Sequence, residues 1–362
     1  MPLRLGVFAL VVLAGSFAMF KSLGGNVPGP HIFHSLGISE GYHVKLCTPS
    51  AKTTRVPAAP PPAPGAWRAE PPTPTVGTEL MGGSLGGLAY IFGGQSYLGY
   101  SLSTVVTYDP STRRYGRAPD MPVRADHLVV VTWHGDLYVV AGYHDSNPIA
   151  RFMRYSPSDR RWTDMPPPPL ARGAAGGAVI GDKLYVAGGG PRTSPMQHVT
   201  PYRTLEIYDF RSGRWTNGPP MPTARHHVVA GAVGGDLYVV GGRMPSTLAS
   251  NVVERYDPRK RRWSEVPPLP LGVGAAMAVT AHGELIVAGG DDEQGWEKGH
   301  GWVTPATWAY SPRRNSWRRL PNMLAPRHAS AAAYVDGRLY TFDGDMCPGV
   351  HRTNTAQSLA LP

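Results

Sequence analysis

Charged and imidazole side chains recur in this sequence at fixed distances after an aromatic residue. The aromatic residues are Trp67, Tyr115, Trp162, Trp215, Trp263 and Trp317. Ten positions after an aromatic lie Arg172, Arg225 and Arg327; eleven positions after lie Asp126, His226 and His328; twelve positions after lie Glu79, His127 and His227. The planar guanidinium of arginine pairs bidentately with carboxylates and phosphates. Two histidines with one carboxylate are the ligand types of a transition-metal site.

These side chains belong to a repeat that organises most of the chain. A short apolar run ends six times in a pair of small residues, and each pair begins 26 residues after its aromatic. The pairs are Gly93-Gly94, Ala141-Gly142, Gly188-Gly189, Gly241-Gly242, Gly289-Gly290 and Asp343-Gly344. In five units a tyrosine also precedes the aromatic by seven residues. Spacings this constant indicate a repeat architecture.

Each unit predicts four strands, which we label a to d. Strand a is small and apolar, as in 228–233, and a Gly/Asp turn such as 234–236 leads into the apolar run of strand b. Strand c carries the tyrosine and ends at an Asp-Pro or Ser-Pro turn, as in Asp257-Pro258. Strand d carries the aromatic residue.

The spacing of the glycine pair, the tyrosine and the tryptophan resembles the kelch motif in all or part of six units across residues 67–362. The resemblance implies an all-β fold, a six-bladed kelch-type β-propeller with one four-stranded blade per unit. The Ala and Gly of strand a suit sheets that converge on an axis. Because Trp67 precedes the first unit and the last unit lacks an aromatic, we expect Gly65 to Glu70 to complete the last blade beside a strand c at Ser358 to Leu361.

The first residues are typical of an export signal. Arg4, an uncharged apolar run over 5–20 and Lys21 predict a signal peptide or signal anchor at 1–21. A Pro-rich stem is expected at 22–64, and the propeller at 65–362. We therefore expect a secreted or membrane-anchored protein in the secretory pathway.

Only two cysteines are present, which excludes a disulfide-rich scaffold and a Cys-based zinc module. Cys47 precedes the closing strand, and Cys347 lies in the blade that this strand joins. If the chain is exported, we expect a disulfide between them. Two unpaired thiols are the alternative.

Composition restricts the function classes. With 44 Gly and 38 Pro among 362 residues, a mostly helical protein is excluded. The net charge of +10 is concentrated in the c–d segments, such as 259–262. The c–d segments lie on one face of the expected propeller. Their positive charge indicates either a solvated basic rim or a surface that binds an anionic partner. No base-stacking platform is recognisable, so nucleic acid is not an expected partner. We expect a monomer.

Strand order places the d–a and b–c loops on one face, which we call the loop face. In kelch propellers that bind peptides these loops form the recognition surface, so the resemblance implies that Arg172, Arg225 and Arg327 contact an acidic ligand. The alternative is that they bond turn carbonyls. The other residues expected on this surface are Asp126, His127, His226, His227, Arg243, His328, Trp296 and Trp302. For the two tryptophans, covering a blade edge is the alternative.

The expected function is non-catalytic binding of a protein or glycan ligand. A propeller enzyme acting on sugars, similar to mutarotases or oxidases, is one alternative, and an intracellular kelch adaptor is another. We predict no catalytic residue, cofactor or metal. Asp126, His226 and His328 occupy one register, but side chains in blades usually face the neighbouring blade, and neither cysteine stands beside a set of copper ligands.

Overall fold

The computed structural model describes residues 65–140, 142–191, 200–245, 249–292, 301–348 and 352–361. This part of the chain forms six four-stranded antiparallel sheets and contains no helix. The predicted all-β, six-bladed propeller is confirmed. No helix in these ranges is long and apolar enough to cross a membrane. The predicted signal segment, the stem, Cys47 and Trp296 lie outside the described residues.

The blades follow one another along the chain, each with strand a innermost. Strand β1 (Arg68–Glu70) comes first and belongs to blade 6. Blade 1 consists of β2 (Met81–Leu85), β3 (Leu88–Phe92), β4 (Val105–Asp109) and β5 (Arg114–Ala118). Blade 2 consists of β6 (Val129–Trp133), β7 (Asp136–Val140), β10 (Phe152–Ser156) and β11 (Arg161–Asp164), with the small hairpin β8 (Tyr143–His144) and β9 (Asn147–Pro148) in its b–c loop. Blade 3 consists of β12 (Gly173–Ile180), β13 (Lys183–Gly190), β14 (Leu205–Asp209) and β15 (Arg214–Asn217).

The second half of the ring repeats this arrangement. Blade 4 consists of β16 (Val229–Val233), β17 (Asp236–Val240), β18 (Val253–Asp257) and β19 (Arg262–Glu265). Blade 5 consists of β20 (Met277–Ala281), β21 (Glu284–Ala288), β24 (Thr307–Ser311) and β25 (Ser316–Leu320), with β22 (Asp291–Asp292) and β23 (Trp302–Val303) as a hairpin in its b–c loop. Blade 6 consists of β26 (Ala331–Val335), β27 (Arg338–Phe342), β28 (Ala356–Ala360) and β1.

The inner strands approach one another closely around the axis. Each strand a contacts the strand a of the next blade, and β26 contacts β2, which closes the ring. A Cβ atom added to Gly82 in β2 would lie 2.0 Å from the carbonyl oxygen of Ala332 in β26. Small residues are therefore required where blades 6 and 1 meet.

The N-terminal strand completes the last blade, as predicted. β1 pairs antiparallel with β28, with Arg68 opposite Ser358 and Glu70 opposite Ala356. Strand c of this blade begins at Ala356, two residues earlier than expected, and ends at Ala360. Because the pairing joins segments nearly 300 positions apart in sequence, the ring closes through non-covalent contacts between the two ends of the propeller.

Two hydrogen bonds recur at every blade junction. The strand-d aromatic donates at 2.7–3.0 Å to a proline carbonyl after strand d of the preceding blade: Trp67 to Pro321, Tyr115 to Pro71, Trp162 to Pro119, Trp215 to Pro166, Trp263 to Pro219 and Trp317 to Pro267. The second residue of each small pair donates at 2.7–3.1 Å to the next d–a loop: Gly94 to Ala125, Gly142 to Arg172, Gly189 to Arg225, Gly242 to Val273, Gly290 to Arg327 and Gly344 to Gly77. The six junctions are therefore equivalent in bonding.

Replacing the aromatic of the closing strand should destabilise the whole ring. Trp67 is 3% exposed and packs in a cluster with Leu359 and Leu361, so Trp67→Ala should lower the free energy of unfolding by about 3–5 kcal/mol. Urea unfolding measures this loss, and Ala69→Ser on the exposed side of β1 is the control. Equal unfolding midpoints for the two variants would show that the closure contributes no stability.

Candidate functional site

On the loop face, each d–a loop is bridged to the b–c loop of its own blade. The bridging residues stand eleven positions after the aromatic and directly after the small pair. The bridges are Thr78 with Gln95, Asp126 with Tyr143, Gly173 with Gly190, His226 with Arg243, Gly274 with Asp291 and His328 with Asp345. These bridges prolong strands a and b toward the loop face and give all six blades the same loop geometry.

The arginines expected to contact a ligand are buried, with Arg172, Arg225 and Arg327 exposed by only 0, 0 and 1%. Arg225 donates to the Glu254 carboxylate at 2.7 Å and to the Gly241 carbonyl at 2.6 Å. This geometry corrects the expectation of ligand contact, because the guanidinium groups do not reach the surface. It agrees with the alternative in which the arginines bond backbone carbonyls.

The other two arginines occupy equivalent positions. Arg172 pairs with the Glu206 carboxylate at 2.7 Å. Arg327 donates instead to the carbonyls of Asp343 at 3.2 Å and Thr355 at 2.9 Å. Burial lowers the pKa of Arg327 to about 10. Each arginine joins strands b and c inside its blade, so the recurrent arginine has a structural role.

The residues at the eleventh position do not converge. Asp126 accepts a 2.6 Å hydrogen bond from Ser101 of blade 1, and His328 Nε2 lies 3.6 Å from Asp291 of blade 5. His226 contacts its neighbour His227 through the Nδ1 atoms, 2.5 Å apart. Asp126 and His328 therefore face the preceding blade, and among the described residues the three form no common metal cluster.

Arg243, Trp302 and Cys347 also differ from simple surface residues. Arg243 is buried and donates to both carboxylate oxygens of Asp291 at 2.8 Å, which joins blades 4 and 5. Trp302 is half-buried and packs against the core cluster beside it, in agreement with the edge-covering alternative. Cys347 is buried. Its disulfide with Cys47 remains a prediction, because Cys47 is outside the described residues.

The residues at the twelfth position form a ring around the axis. All six have left-handed backbone, with φ between 46 and 55°: Glu79, His127, Ala174, His227, Ala275 and Ala329. Their backbones are linked between neighbouring blades, as where the N–H of His127 donates to the Glu79 carbonyl at 3.2 Å and that of Ala275 to the His227 carbonyl at 3.0 Å. The left-handed turn redirects the chain after the bridging residue, so these positions line the axial cavity.

Three blades place a polar side chain in this ring. His127 Nε2 lies 3.1 Å from both His227 Nε2 and Glu79 Oε2, and His227 Nε2 lies 3.9 Å from Glu79 Oε1. On its other side, His127 Nδ1 is 2.5 Å from an oxygen of Asp126. The cluster borders an axial cavity of about 120 Å³, which is otherwise lined mostly by small and aliphatic residues of the inner strands.

The protonation of this cluster follows from burial and from its charges. Burial opposes the His127 imidazolium, but the Glu79 and Asp126 carboxylates outweigh it and raise the pKa of His127 to about 10. Burial likewise opposes the Glu79 carboxylate, yet His127 lowers the pKa of Glu79 to about 2. Burial together with the charge of Arg243 lowers the pKa of His226 to about 3 and that of His227 well below its usual value. His127 and Glu79 thus form a largely buried ion pair beside two neutral imidazoles.

Comparison with known proteins identifies the repeat. The kelch motif model matches residues 126–169, 171–222 and 224–270. Kelch-like protein 40 of Xenopus tropicalis is 26% identical over 49% of this chain and 28% of its own length. Kelch-like protein 36 of Bos taurus is 25% identical over 77% of this chain and 37% of its own length, and beta-scruin of Limulus polyphemus is 25% identical over 42% and 18%.

The chain contains kelch repeats. Its three blades outside the matched segments have the same junction bonds as those within them. The chain spans about a third or less of the length of most of these relatives, so it corresponds to only a part of each.

The kelch propeller exposes its large apolar side chains on one face. Among the described residues these are Val76, Tyr97, Leu98, Leu324 and Met346, which we call the loop patch. Each lies in a d–a or b–c loop of blades 5, 6 and 1, and none lies in an a–b or c–d turn. The sequence analysis did not identify this patch. The sequence does contain a signal for this patch, because Tyr97 and Leu98 stand side by side in the Gly-containing loop that follows the first glycine pair.

Glu79 was also missing from the expected surface residues. Its position twelve residues after an aromatic was visible in the sequence, together with those of His127 and His227. The sequence does not show the left-handed backbone at that position, which turns these three residues, rather than the preceding ones, toward the axis of the kelch propeller.

Replacing a buried arginine of this kelch propeller should impair folding rather than binding alone. Arg225→Ala leaves the Glu254 carboxylate buried and unpaired, so the free energy of unfolding should fall by about 3–5 kcal/mol. Arg124→Ala, one position before the equivalent residue Ala125 in the d–a loop between blades 1 and 2, has a partly exposed side chain and is the control. Chemical denaturation measures both variants. A wild-type unfolding midpoint for Arg225→Ala would refute the structural role.

Proposed function

We propose that this kelch propeller is a non-catalytic recognition domain and that its loop patch binds a protein with an acidic surface and exposed apolar side chains. The observation that carries the proposal is the confinement of the exposed large apolar residues, among those described, to the loops of one face. Exposed apolar patches mark interaction sites more often than single scattered residues do.

The centre of the loop patch is a tight turn. The N–H of Gly99 donates to the Ser96 carbonyl at 2.8 Å, so Tyr97 and Leu98 occupy the two corner positions of the turn. Their side chains are 52 and 38% exposed. Tyrosine is enriched among residues that contribute most to protein binding, because it offers a large apolar surface and a polar tip.

The loops of the patch are already held in place. Thr78 donates to Asp345 at 2.6 Å, which joins the loop of Val76 to the loop of Met346. Such a surface loses little conformational entropy on binding. The net charge of +10 raises the rate of encounter with an acidic protein, and the apolar residues of the loop patch determine the face to which that protein binds.

Substitution of the two corner residues tests the proposal. The full chain with Tyr97→Ala and Leu98→Ala should bind its partner at least tenfold more weakly, because the apolar anchors are lost. Its stability should remain within about 0.5 kcal/mol of wild type, because both side chains are exposed. Partners recovered by crosslinking with wild type are purified, and their affinities for both chains are measured by calorimetry.

The matched control is Arg259→Ala with Lys260→Ala, two exposed residues in a c–d turn on the opposite face. This control should retain wild-type affinity. If the control rather than the loop variant loses binding, an anionic partner on the basic c–d face replaces the proposal. Loss of wild-type binding after enzymatic deglycosylation of the partner would instead assign the ligand to the glycan class.

We also propose that the chain enters the secretory pathway, as the apolar run at 5–20 between Arg4 and Lys21 favours. Cell fractionation with N-terminal sequencing of a C-terminally tagged chain is the test. We expect the protein in the membrane or extracellular fraction. An intact N-terminus in the cytosol would favour the intracellular adaptor instead.

A further inference from the structure

We propose that Glu79, His127 and His227 bind a divalent transition-metal ion, with Zn²⁺ as the probe, at the loop-face end of the propeller axis. This proposal uses none of the residues of the loop patch and does not rest on its function. The sequence analysis placed no metal here, and its only metal-like combination used the residues one position earlier.

The distances between the donor atoms suit a single ion. One ligand atom from each residue can be chosen so that all three lie within 4.8 Å of one another. The nearest pairs are 3.1, 3.1 and 3.9 Å apart. With metal–ligand bonds of about 2.1 Å, adjacent ligand atoms lie about 3.0 Å apart in an octahedral and about 3.4 Å apart in a tetrahedral complex. The donors therefore require only small shifts to coordinate one ion, which would replace the proton on His127 Nε2 and release it to solvent.

The ligand types also agree. Two imidazole nitrogens and one carboxylate oxygen bind zinc and other first-row divalent ions. Three of the six equivalent positions supply these donors. The other three are alanines, which leave space around the ion: Ala174, Ala275 and Ala329. The left-handed backbone occurs at all six, so it belongs to the fold, whereas the choice of side chain is particular to three blades.

A second set of residues orients the ligands. Metal-binding histidines almost always bond their other ring nitrogen to a carboxylate or another polar group. Here a carboxylate oxygen of Asp126 bonds Nδ1 of His127 at 2.5 Å. Nδ1 of His226 likewise bonds Nδ1 of His227 at 2.5 Å. The Nε2 atoms of His127 and His227 are therefore directed at Glu79. Asp126 is fully buried, and Ser101 holds it by a 2.6 Å hydrogen bond.

The charges near the site favour a cation. Glu79 and Asp126 supply two carboxylates. The nearby Arg243 is bonded to the carboxylate of Asp291, which offsets its positive charge. Because the three ligands also line the axial cavity of about 120 Å³, water or a small ligand has room beside the bound ion.

Metal content of the full chain without a histidine tag tests the proposal. After EDTA treatment, zinc loading and desalting, we expect about one zinc per chain by mass spectrometry of the metal. His127→Ala with His227→Ala should lose stoichiometric zinc. The control His144→Ala with His282→Ala removes one partly exposed and one exposed histidine outside the cluster and should retain it. Absence of zinc from the wild type, or full retention by the first variant, would overturn the proposal.

Two milder variants keep the test informative if the double variant fails to fold. Glu79→Gln and Asp126→Asn should each weaken zinc binding about 10–100-fold in a chelator competition. In cobalt-loaded protein, Glu79→Gln should also change the visible d–d absorption, because it removes an oxygen ligand. Unchanged affinity and spectrum in both variants would refute the assignment.

Discussion

The hydrogen bond from the second residue of each small pair to the next d–a loop is the contact on which the ring depends. In the first blade Gly94 donates to Ala125, and a Cβ on Gly94 would lie 2.7 Å from the Thr78 carbonyl. The donor must therefore be a glycine with positive φ, which is 87° here. Because this bond fixes the backbone of the tenth residue after the aromatic, the tenth, eleventh and twelfth residues have the same backbone positions in successive blades.

That regularity explains what the sequence predicts well. Constant spacing identifies the number of blades, the order of strands and the closing role of β1, because each depends only on where a unit begins and ends. The start of strand c in blade 6 was wrong by two residues, because no aromatic marker of its own follows that strand. Periodicity therefore locates strands reliably wherever two markers enclose them.

The spacing of residues in the repeat does not predict the direction in which a side chain points. Arg225 has the charge and position of a surface contact, yet it turns inward because Glu254 and the Gly241 carbonyl need a donor inside the blade. Asp126 and His127 are adjacent, but only the second has left-handed backbone and lines the axial cavity. A shift of one residue across such a turn therefore exchanges a side chain that faces the preceding blade for one that faces the axis. This conformational change leaves no periodic signal in the sequence.

Residues that recur in many blades and residues that differ between blades thus have different roles. The strand-d aromatics make a hydrogen bond that every blade junction shares, and the three buried arginines join strands b and c of their own blades, so both kinds of residue reflect the fold. Glu79, at a position where three of the other blades have alanine, and Tyr97 in its exposed turn serve no such need. Glu79 and Val76 also lie in one d–a loop, which Thr78 ties to Asp345. A partner that held this loop at Val76 would also restrict the carboxylate of Glu79. Any effect of the partner on metal affinity must then be matched by an equal effect of the metal on partner affinity, because binding free energies at linked sites are reciprocal.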